Sequence, residues 1–257
     1  IERKKVMARI DWNISNKHKL AVRYNRTTND VPSLTNGTSG ANPRASNTYS
    51  RVSQNAMSFE NSMYFTSNNV SSYTLELNSR FNNRLSNQFL ATYSKIQTGR
   101  SSPSAEFPFI DIGDGLGTSS VWQNYISAGY ELFTYNNAVI NDNYTIVNNL
   151  TYTAGRHSLL LGASFESQKF ANNYMRNGTS YYRYKSVADF LTTGTPGEVA
   201  PIQFALTYPY EGADPFAIVK YNLPAVYLQD NISVNDRFNL TLGLRAEIPT
   251  FAKNLIA

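Results

Sequence analysis

The sequence predicts an all-β protein, an antiparallel transmembrane β-barrel to which this chain contributes about eight strands. Apolar and polar residues alternate along several segments of about ten residues, which is the strand pattern of a barrel wall. Short turns and long polar stretches connect those segments in alternation. The chain is also rich in aromatic residues and poor in charged ones.

The composition suits a wall with one face in lipid and the other in water. Aromatic residues make up 13% of the 257 residues and charged residues only 16%, against roughly 25% in ordinary soluble domains. Asn, Ser and Thr fill the gap, so the chain is a poor helix former and a good strand and loop former. No run approaches the roughly eighteen apolar residues of a membrane helix.

The same sequence excludes several classes of function. Because the chain has no cysteine, disulfide scaffolds, thiol catalysis and Cys-ligated metal sites are excluded. The basic residues behind the net charge of +5 are scattered, so no nucleic-acid partner is expected. The two histidines, His18 and His157, fall in predicted turns. No hydrolase or phosphate-binding motif occurs, so we expect neither a cofactor nor enzyme activity.

The clearest strand covers residues 238–248, where every even-numbered position is apolar and the odd-numbered positions are mostly polar. Eleven residues are about enough for a tilted strand to cross a bilayer. A tight turn at 235–237 joins it to a preceding strand at 225–234. Asp230 interrupts the apolar set of that strand, and the sequence offers no explanation for it.

Three further hairpins repeat this unit, which gives about eight strands. Their strand pairs are 6–14 with 20–25, 73–81 with 89–93, and 144–152 with 159–165, and their turns are 15–19, 82–87 and 154–157. Long polar stretches at 29–68, 99–138 and 172–216 separate the hairpins. Short turns on one side and long loops on the other are typical of outer-membrane barrels, whose loops are extracellular.

Two loop segments carry more specific expectations. Residues 186–191 are expected to form a helical turn inside the third loop. Residues 111–115 have a superficial likeness to a calcium loop, but they lack its ligand spacing and its terminal Glu. A plain extracellular turn is therefore expected there.

Aromatic side chains recur near the predicted strand ends, where barrels place them because the rings suit the headgroup zone. The alternative is core packing in a soluble sandwich, but charged residues often face the rings and the loops are lopsided. The aromatic set is Trp12, Tyr24, Phe81, Tyr93, Tyr144, Tyr152 and Phe238.

Several motifs resemble TonB-dependent outer-membrane receptors. The hairpin Val226-Tyr-Leu-Gln-Asp-Asn-Ile-Ser-Val234 with Asn239-Leu-Thr-Leu-Gly-Leu-Arg245 is similar to a barrel hairpin of that family, and Ile248-Pro-Thr-Phe251 resembles its Oar-like branch. Similar motifs cover nearly the whole chain: Arg9-Ile-Asp-Trp-Asn13, Lys19-Leu-Ala-Val-Arg-Tyr24, Glu76-Leu-Asn-Ser-Arg-Phe81, Phe107-Pro-Phe-Ile-Asp-Ile-Gly-Asp114 and Tyr184-Lys-Ser-Val-Ala-Asp-Phe190.

The resemblance implies a barrel of 22 strands, an internal plug, and import of a nutrient too large for porins, with energy supplied by TonB. Residues 1–257 would then be part of a single barrel domain, and the plug and signal regions are absent from them. The implied partners are outer-membrane lipid, the rest of the barrel and its plug, TonB through regions absent here, and a surface lipoprotein. The alternative is an outer-membrane adhesin or structural barrel that binds through its long extracellular loops.

Two sets of residues are candidate sites. Charged residues on the predicted polar faces would grip the plug or line a substrate path, although any water-filled lumen needs polar walls; they are Arg9, Asp11, Arg23, Glu76, Arg80, Glu166, Arg245 and Glu247. Loop aromatics would bind a substrate or a lipoprotein, or would equally well pack the loop onto itself; they are Tyr181, Tyr182, Tyr184, Phe190, Tyr208 and Tyr210.

Overall fold

Hydrogen bonds between neighbouring strands build most of the protein in the computed structural model, which describes residues 2–37, 51–52, 54–116 and 122–252. In chain order the strands are β1 (Glu2–Ser15), β2 (His18–Ser33), β3 (Met57–Ser58), β4 (Tyr64–Arg80), β5 (Leu85–Ser101), β6 (Phe109–Gly113), β7 (Asn124–Ala128), β8 (Ala138–Ala154), β9 (His157–Asn173), β10 (Tyr181–Tyr184), β11 (Gln203–Ala205), β12 (Ala217–Asn235), β13 (Phe238–Glu247) and β14 (Thr250–Phe251). A helical turn, α1, covers Val187–Phe190. No helix in the described part of the chain is long and apolar enough to span a membrane.

Eight long strands form one antiparallel sheet, which we call the wall. Its order is β1-β2-β4-β5-β8-β9-β12-β13, and β14 continues the edge by pairing with β12. Within the described residues, β1 and β13 are the two outer edges and do not pair with each other. The predicted fold class of about eight antiparallel barrel strands is confirmed, and the sheet is open.

The wall strands are longer than the alternation of apolar residues predicted. Strands β4, β5, β8 and β9 each have 17 residues, and β12 has 19. Three of the turns shrink to the residue pairs 16–17, 155–156 and 236–237. Backbone pairing continues after the alternating apolar pattern ends. The pattern alone therefore underestimates the length of each strand.

The register aligns residues of similar polarity in rows across the wall. One row is Ile10, Val22, Leu75, Ala91, Ile146, Phe165 and Pro224. The side of the wall that carries this row is called the apolar face, and the opposite side, which carries Arg23 and Asn149, is called the polar face. Because side chains alternate with period two, one register fixes both faces at once.

The wall is staggered as the wall of a barrel must be. From His18, the first residue of β2, the register leads through one residue on each strand to Leu161 on β9. Leu161 lies four residues beyond His157, which is the first residue of β9 (161 − 157). Four residues of roughly 3.4 Å over four strand spacings of roughly 4.8 Å give a tilt of about 35°. Transmembrane barrels have tilts of about 35–45°.

Four tyrosines cross the apolar face side by side. Tyr24, Tyr73, Tyr93 and Tyr144 are direct partners on β2, β4, β5 and β8. The distances between successive ring centroids are 4.9, 6.2 and 4.6 Å. We call this set the tyrosine row; it supplies the loop-side aromatics that the sequence predicted and adds Tyr73 to them.

The structure explains Asp230, which interrupts the apolar set of β12. Its Oδ2 lies 2.6 Å from Nδ1 of His157. The other histidine, His18, is hydrogen-bonded through Nδ1 to Ser79 Oγ at 2.8 Å and meets the Phe81 ring edge-on. Both histidines therefore hydrogen-bond to polar side chains near the short turns.

A second, smaller sheet unites the three long loops and was not predicted. Its strand order is β11-β10-β6-β7-β3, and these strands come from all three loops. We call it the loop sheet. Its core contains Phe109, Leu132 and Tyr181, which are at most 2% exposed. The helical turn expected at 186–191 is confirmed, because Ser186 caps α1 by accepting a hydrogen bond from the Asp189 N–H at 3.1 Å.

A glycine on the polar face makes room for an aromatic ring. Gly162 and Tyr227 are direct partners on β9 and β12. A Cβ atom at Gly162 would lie 1.9 Å from Cε2 of Tyr227. The ring lies over the glycine, and its hydroxyl donates a hydrogen bond to Asn149 Oδ1 at 2.5 Å.

We predict that Gly162→Val will destabilise the wall by about 1–3 kcal/mol, because the added side chain must push the Tyr227 ring aside. Denaturant unfolding of the full-length protein in detergent measures the change. Gly197→Ala is the control, since nothing lies within 4 Å of the added Cβ there. Equal stability of the Gly162 variant and the parent protein would contradict the assigned packing.

Candidate functional site: the polar face and the loop sheet

The register brings all eight predicted lumen-side charges onto the polar face. They occupy five of the eight wall strands, at positions that alternate with the apolar residues. These residues are Arg9, Asp11, Arg23, Glu76, Arg80, Glu166, Arg245 and Glu247. They lie in local groups rather than in one cluster.

The first group neutralises two arginines that face each other. Arg9 and Arg23 are direct partners on β1 and β2, and like charges in that position repel. Arg9 donates two hydrogen bonds to Asp11, at 2.7 and 2.8 Å. Arg23 donates to Glu76 Oε2 at 2.8 Å. Each guanidinium thus has its own carboxylate.

Glu76 is the most connected acid on this face. Besides Arg23, its carboxylate accepts hydrogen bonds from Asn78 at 2.9 Å and from Gln88 at 3.2 Å. Lys19 approaches Asp11 at 3.8 Å. The group therefore spans β1, β2, β4 and β5. It places several amide and guanidinium donors on the polar face of the wall.

The second group surrounds Tyr227 at the other end of the wall. Arg245 donates to Glu247 at 2.8 Å, and its guanidinium carbon lies 5.3 Å from the centroid of the Tyr227 ring. The two remaining predicted charges are more local. Arg80 donates to Asn83 Oδ1 at 3.1 Å beside a short turn, and Glu166 accepts a hydrogen bond from Gln168.

The polar face is thus a hydrogen-bonding surface on which most of the predicted charges are paired. The Arg9–Asp11 and Arg245–Glu247 pairs are exposed to solvent, so each contributes little stability by itself, whereas the Arg23–Glu76 pair is half-buried. Their donors and acceptors can bind water or the polar surface of another protein segment. Among the described residues, no group of three or more His, Asp or Glu side chains could hold a metal ion.

The loop sheet contains a buried ion cluster that the sequence did not reveal. Asp111 on β6 is 0% exposed. Arg51, from the first loop, donates to both carboxylate oxygens of Asp111, at 2.9 and 2.7 Å. Ser127 donates to it at 2.7 Å and Tyr181 at 2.6 Å, and Arg183 approaches within 3.4 Å. All three long loops contribute to this cluster.

Burial and charge oppose each other at Asp111. Burial alone would raise its pKa, but the two guanidiniums and the Tyr181 hydroxyl outweigh burial and hold the pKa below its ordinary value of 3.8. The carboxylate is therefore ionised at neutral pH. The expectation of a plain turn at 111–115 was wrong, because Asp111 belongs to strand β6 and fixes the loop sheet.

The six predicted loop aromatics do not form one surface. Tyr181 and Tyr184 are buried, at 0% and 4% exposed, and pack the loop sheet from within. Tyr182 packs on Phe204, and Phe190 meets Tyr184 edge-on. Tyr208 and Tyr210 are 75% and 78% exposed. Only these last two project fully into solvent.

We predict that Asp111→Asn will destabilise the loop sheet by about 3–5 kcal/mol, because it leaves buried guanidiniums without their carboxylate. Hydrogen exchange of the β6 and β10 amides in the full-length protein measures the loss. Asp214→Asn, a change at an exposed loop carboxylate, should leave exchange unchanged. Since folding lowers the pKa of Asp111 from 3.8, its contribution is present above that pH and is lost as pH falls through the lower folded-state value. Unchanged exchange in Asp111→Asn would contradict the structural role of the cluster.

Comparisons with known proteins agree with this architecture. The structure superposes on the outer membrane transporter YddB from Escherichia coli with a TM-score of 0.61 and 12% identity, covering 96% of this chain and 27% of that one. It superposes on BauA, the ferric preacinetobactin receptor from Acinetobacter baumannii, with a TM-score of 0.53 and 14% identity, covering 99% of this chain and 35% of that one. The chain thus spans about a third or less of these proteins, and at such identities the likeness shows the fold. No curated protein matches the sequence.

A family described as "Outer membrane beta barrel domain" matches residues 1–255. The match covers every strand of the wall and of the loop sheet. A barrel domain agrees with the antiparallel wall of the structure. The chain therefore belongs to the outer membrane beta-barrel domain family, whose place is the bacterial outer membrane.

Proposed function

We propose that this chain forms part of the wall of a TonB-dependent outer-membrane transporter that imports a nutrient too large for porins. The observation that carries the proposal is the open wall, whose polar face carries paired charges on both its β2 side and its β13 side. A closed barrel of eight strands would be just wide enough for side chains to fill it. Here the ion pairs of Arg23, on β2, and Arg245, on β13, lie near opposite edges of an open sheet.

The unpaired edges of β1 and β13 support a larger barrel. In hydrocarbon each unsatisfied backbone N–H or C=O group costs several kcal/mol. An open wall therefore needs further strands on both sides in the membrane. The family that the motifs resemble has 22 strands and an internal plug, and we propose that the polar face meets that plug and the water around it.

The motifs point to the Oar-like branch of those receptors. The hairpin of β12 and β13, with Ile248-Pro-Thr-Phe251 behind it, carries the resemblance. On this proposal the loop sheet faces outside the cell, and the exposed Tyr208 and Tyr210 are the first candidates for contact with a surface lipoprotein or a substrate. The proposal assigns no catalytic role to any residue of the wall.

We predict that the apolar face contacts lipid. Leu75 lies in the apolar row between Val22 and Ala91, five residues from the turn end of β4 (80 − 75). Leu75→Arg should cost about 2–4 kcal/mol, because a guanidinium near the bilayer midplane is poorly solvated. Thr92→Arg, on the polar face of β5, should cost much less. Folding of the full-length variants into lipid vesicles gives both values, and equal costs would reverse the assignment of the faces.

Binding to TonB tests the transport function itself. We expect the full-length protein to bind the periplasmic domain of TonB in a pull-down from detergent. We also expect energised cells to need TonB for uptake of the nutrient. An adhesin would show neither property, and deletion of its gene would instead abolish attachment of the cells to host or matrix. That second pattern would replace the transporter with the adhesin as the function of this barrel.

A further inference from the structure

A short band of lysines crosses the apolar face immediately beyond the tyrosine row. Lys95, Asp142, Lys169 and Lys220 are direct partners on β5, β8, β9 and β12. Lys95 follows Tyr93 by two residues on the same face, on the side of the long loops. These three lysines with Asp142 are called the lysine band, and their net charge is +2.

Among the described residues, the lysines of the lysine band form no ion pair. Asp142 is the direct partner of Lys95 and of Lys169, but its Oδ1 accepts a hydrogen bond from the Tyr93 hydroxyl at 2.9 Å. Within the described part of the chain, neither ammonium forms an ion pair with it. Lys169 and Lys220 face each other directly, and like charges in that position repel unless an anion lies between them.

The height of the lysine band matches the headgroup layer. Lys95 lies ten residues beyond Leu85 (95 − 85), Lys169 twelve beyond His157 (169 − 157), and Lys220 fifteen before Asn235 (235 − 220). With about 3.4 Å per residue and a tilt near 35°, they lie roughly 28–42 Å above the turn ends, beyond an apolar band about 25 Å tall. Because the long loops are extracellular in such barrels, this is the outer leaflet.

A place for an acyl chain adjoins the lysine band. Below it, an apolar groove of about 290 Å³ runs along the wall. Its lining includes Val22, Leu75, Tyr73, Tyr93 and Ile146. A phosphate on the lysines and a hydrocarbon chain in the groove are thus within reach of one lipid molecule.

We propose that the lysine band is a binding site for the phosphate groups of an outer-leaflet glycolipid, with an acyl chain in the apolar groove that the tyrosine row helps to line. Ammonium groups bind phosphate through charge-assisted hydrogen bonds, and their aliphatic stems lie along apolar surface while the charge reaches the interface. A free anion would use the lysines but leave the groove unused. The proposal needs only the outer-membrane barrel and holds for a transporter and for an adhesin alike.

Lipid titration of the full-length protein in neutral detergent tests the site. The probe is lipid A, a phosphorylated glycolipid, and the measurement is its apparent Kd. The variant Lys95→Gln/Lys169→Gln/Lys220→Gln should weaken binding by at least about tenfold, since each basic residue near an anionic surface adds severalfold to affinity. Lipid A without its phosphates should bind the parent protein as weakly as lipid A binds the variant.

The matched control removes the same charge at the other end of the strands. Lys17→Gln/Arg84→Gln/Arg237→Gln changes three cations at the short turns and should leave the Kd for lipid A unchanged. Equal affinity of the lysine-band variant and the parent protein would overturn the proposal. Displacement of lipid A by millimolar inorganic phosphate would also overturn it, because the site would then bind a free anion rather than a lipid. Unchanged denaturant unfolding of both variants shows that the wall is intact.

Discussion

The backbone hydrogen-bond ladder of the wall is the interaction on which the rest of the structure depends. In a membrane every buried N–H and C=O group must find a partner within the protein. The long pairings between successive wall strands meet this demand for 16 residue pairs between β2 and β4 alone. Once this register is set, the positions of all side chains on both faces follow.

The ladder explains how charged residues far apart in sequence become local ion pairs. Arg23 and Glu76 are 53 positions apart in sequence, and Tyr227 and Asn149 are 78 apart, yet each pair is joined by one hydrogen bond. A slip of one residue would exchange the two faces and carry these charges to the apolar face. The apolar rows and the polar contacts therefore reinforce the same register.

The wall was predictable because its signal is local. Alternation along 238–248 predicts a strand, and short turns predict which strand follows it. The pattern failed where outward positions turn polar, as at Lys95 and Lys169, because pairing continues there without an apolar signature. Asp230 could not be explained from the sequence either, since its partner His157 is 73 positions away.

The loop sheet was not predictable because its stabilising contacts, like that of Asp230, join residues far apart in sequence. Its strands have only two to five residues, and each is stabilised by segments from other loops rather than by its own pattern. Asp111 needs Arg51, 60 positions before it, and Arg183, 72 positions after it. Likewise, Tyr181 and Tyr184 are residue types typical of a binding surface, but they lie in the interior of the loop sheet.

The shared ion cluster has a consequence for how the three long loops can vary in sequence. Loops that fold independently can change one at a time. Here Asp111 belongs to the second loop, Arg51 to the first, and Tyr181 and Arg183 to the third. Exchange of one loop would leave a buried charge of another loop without its partner. The three loops must therefore vary, or be grafted, as one unit.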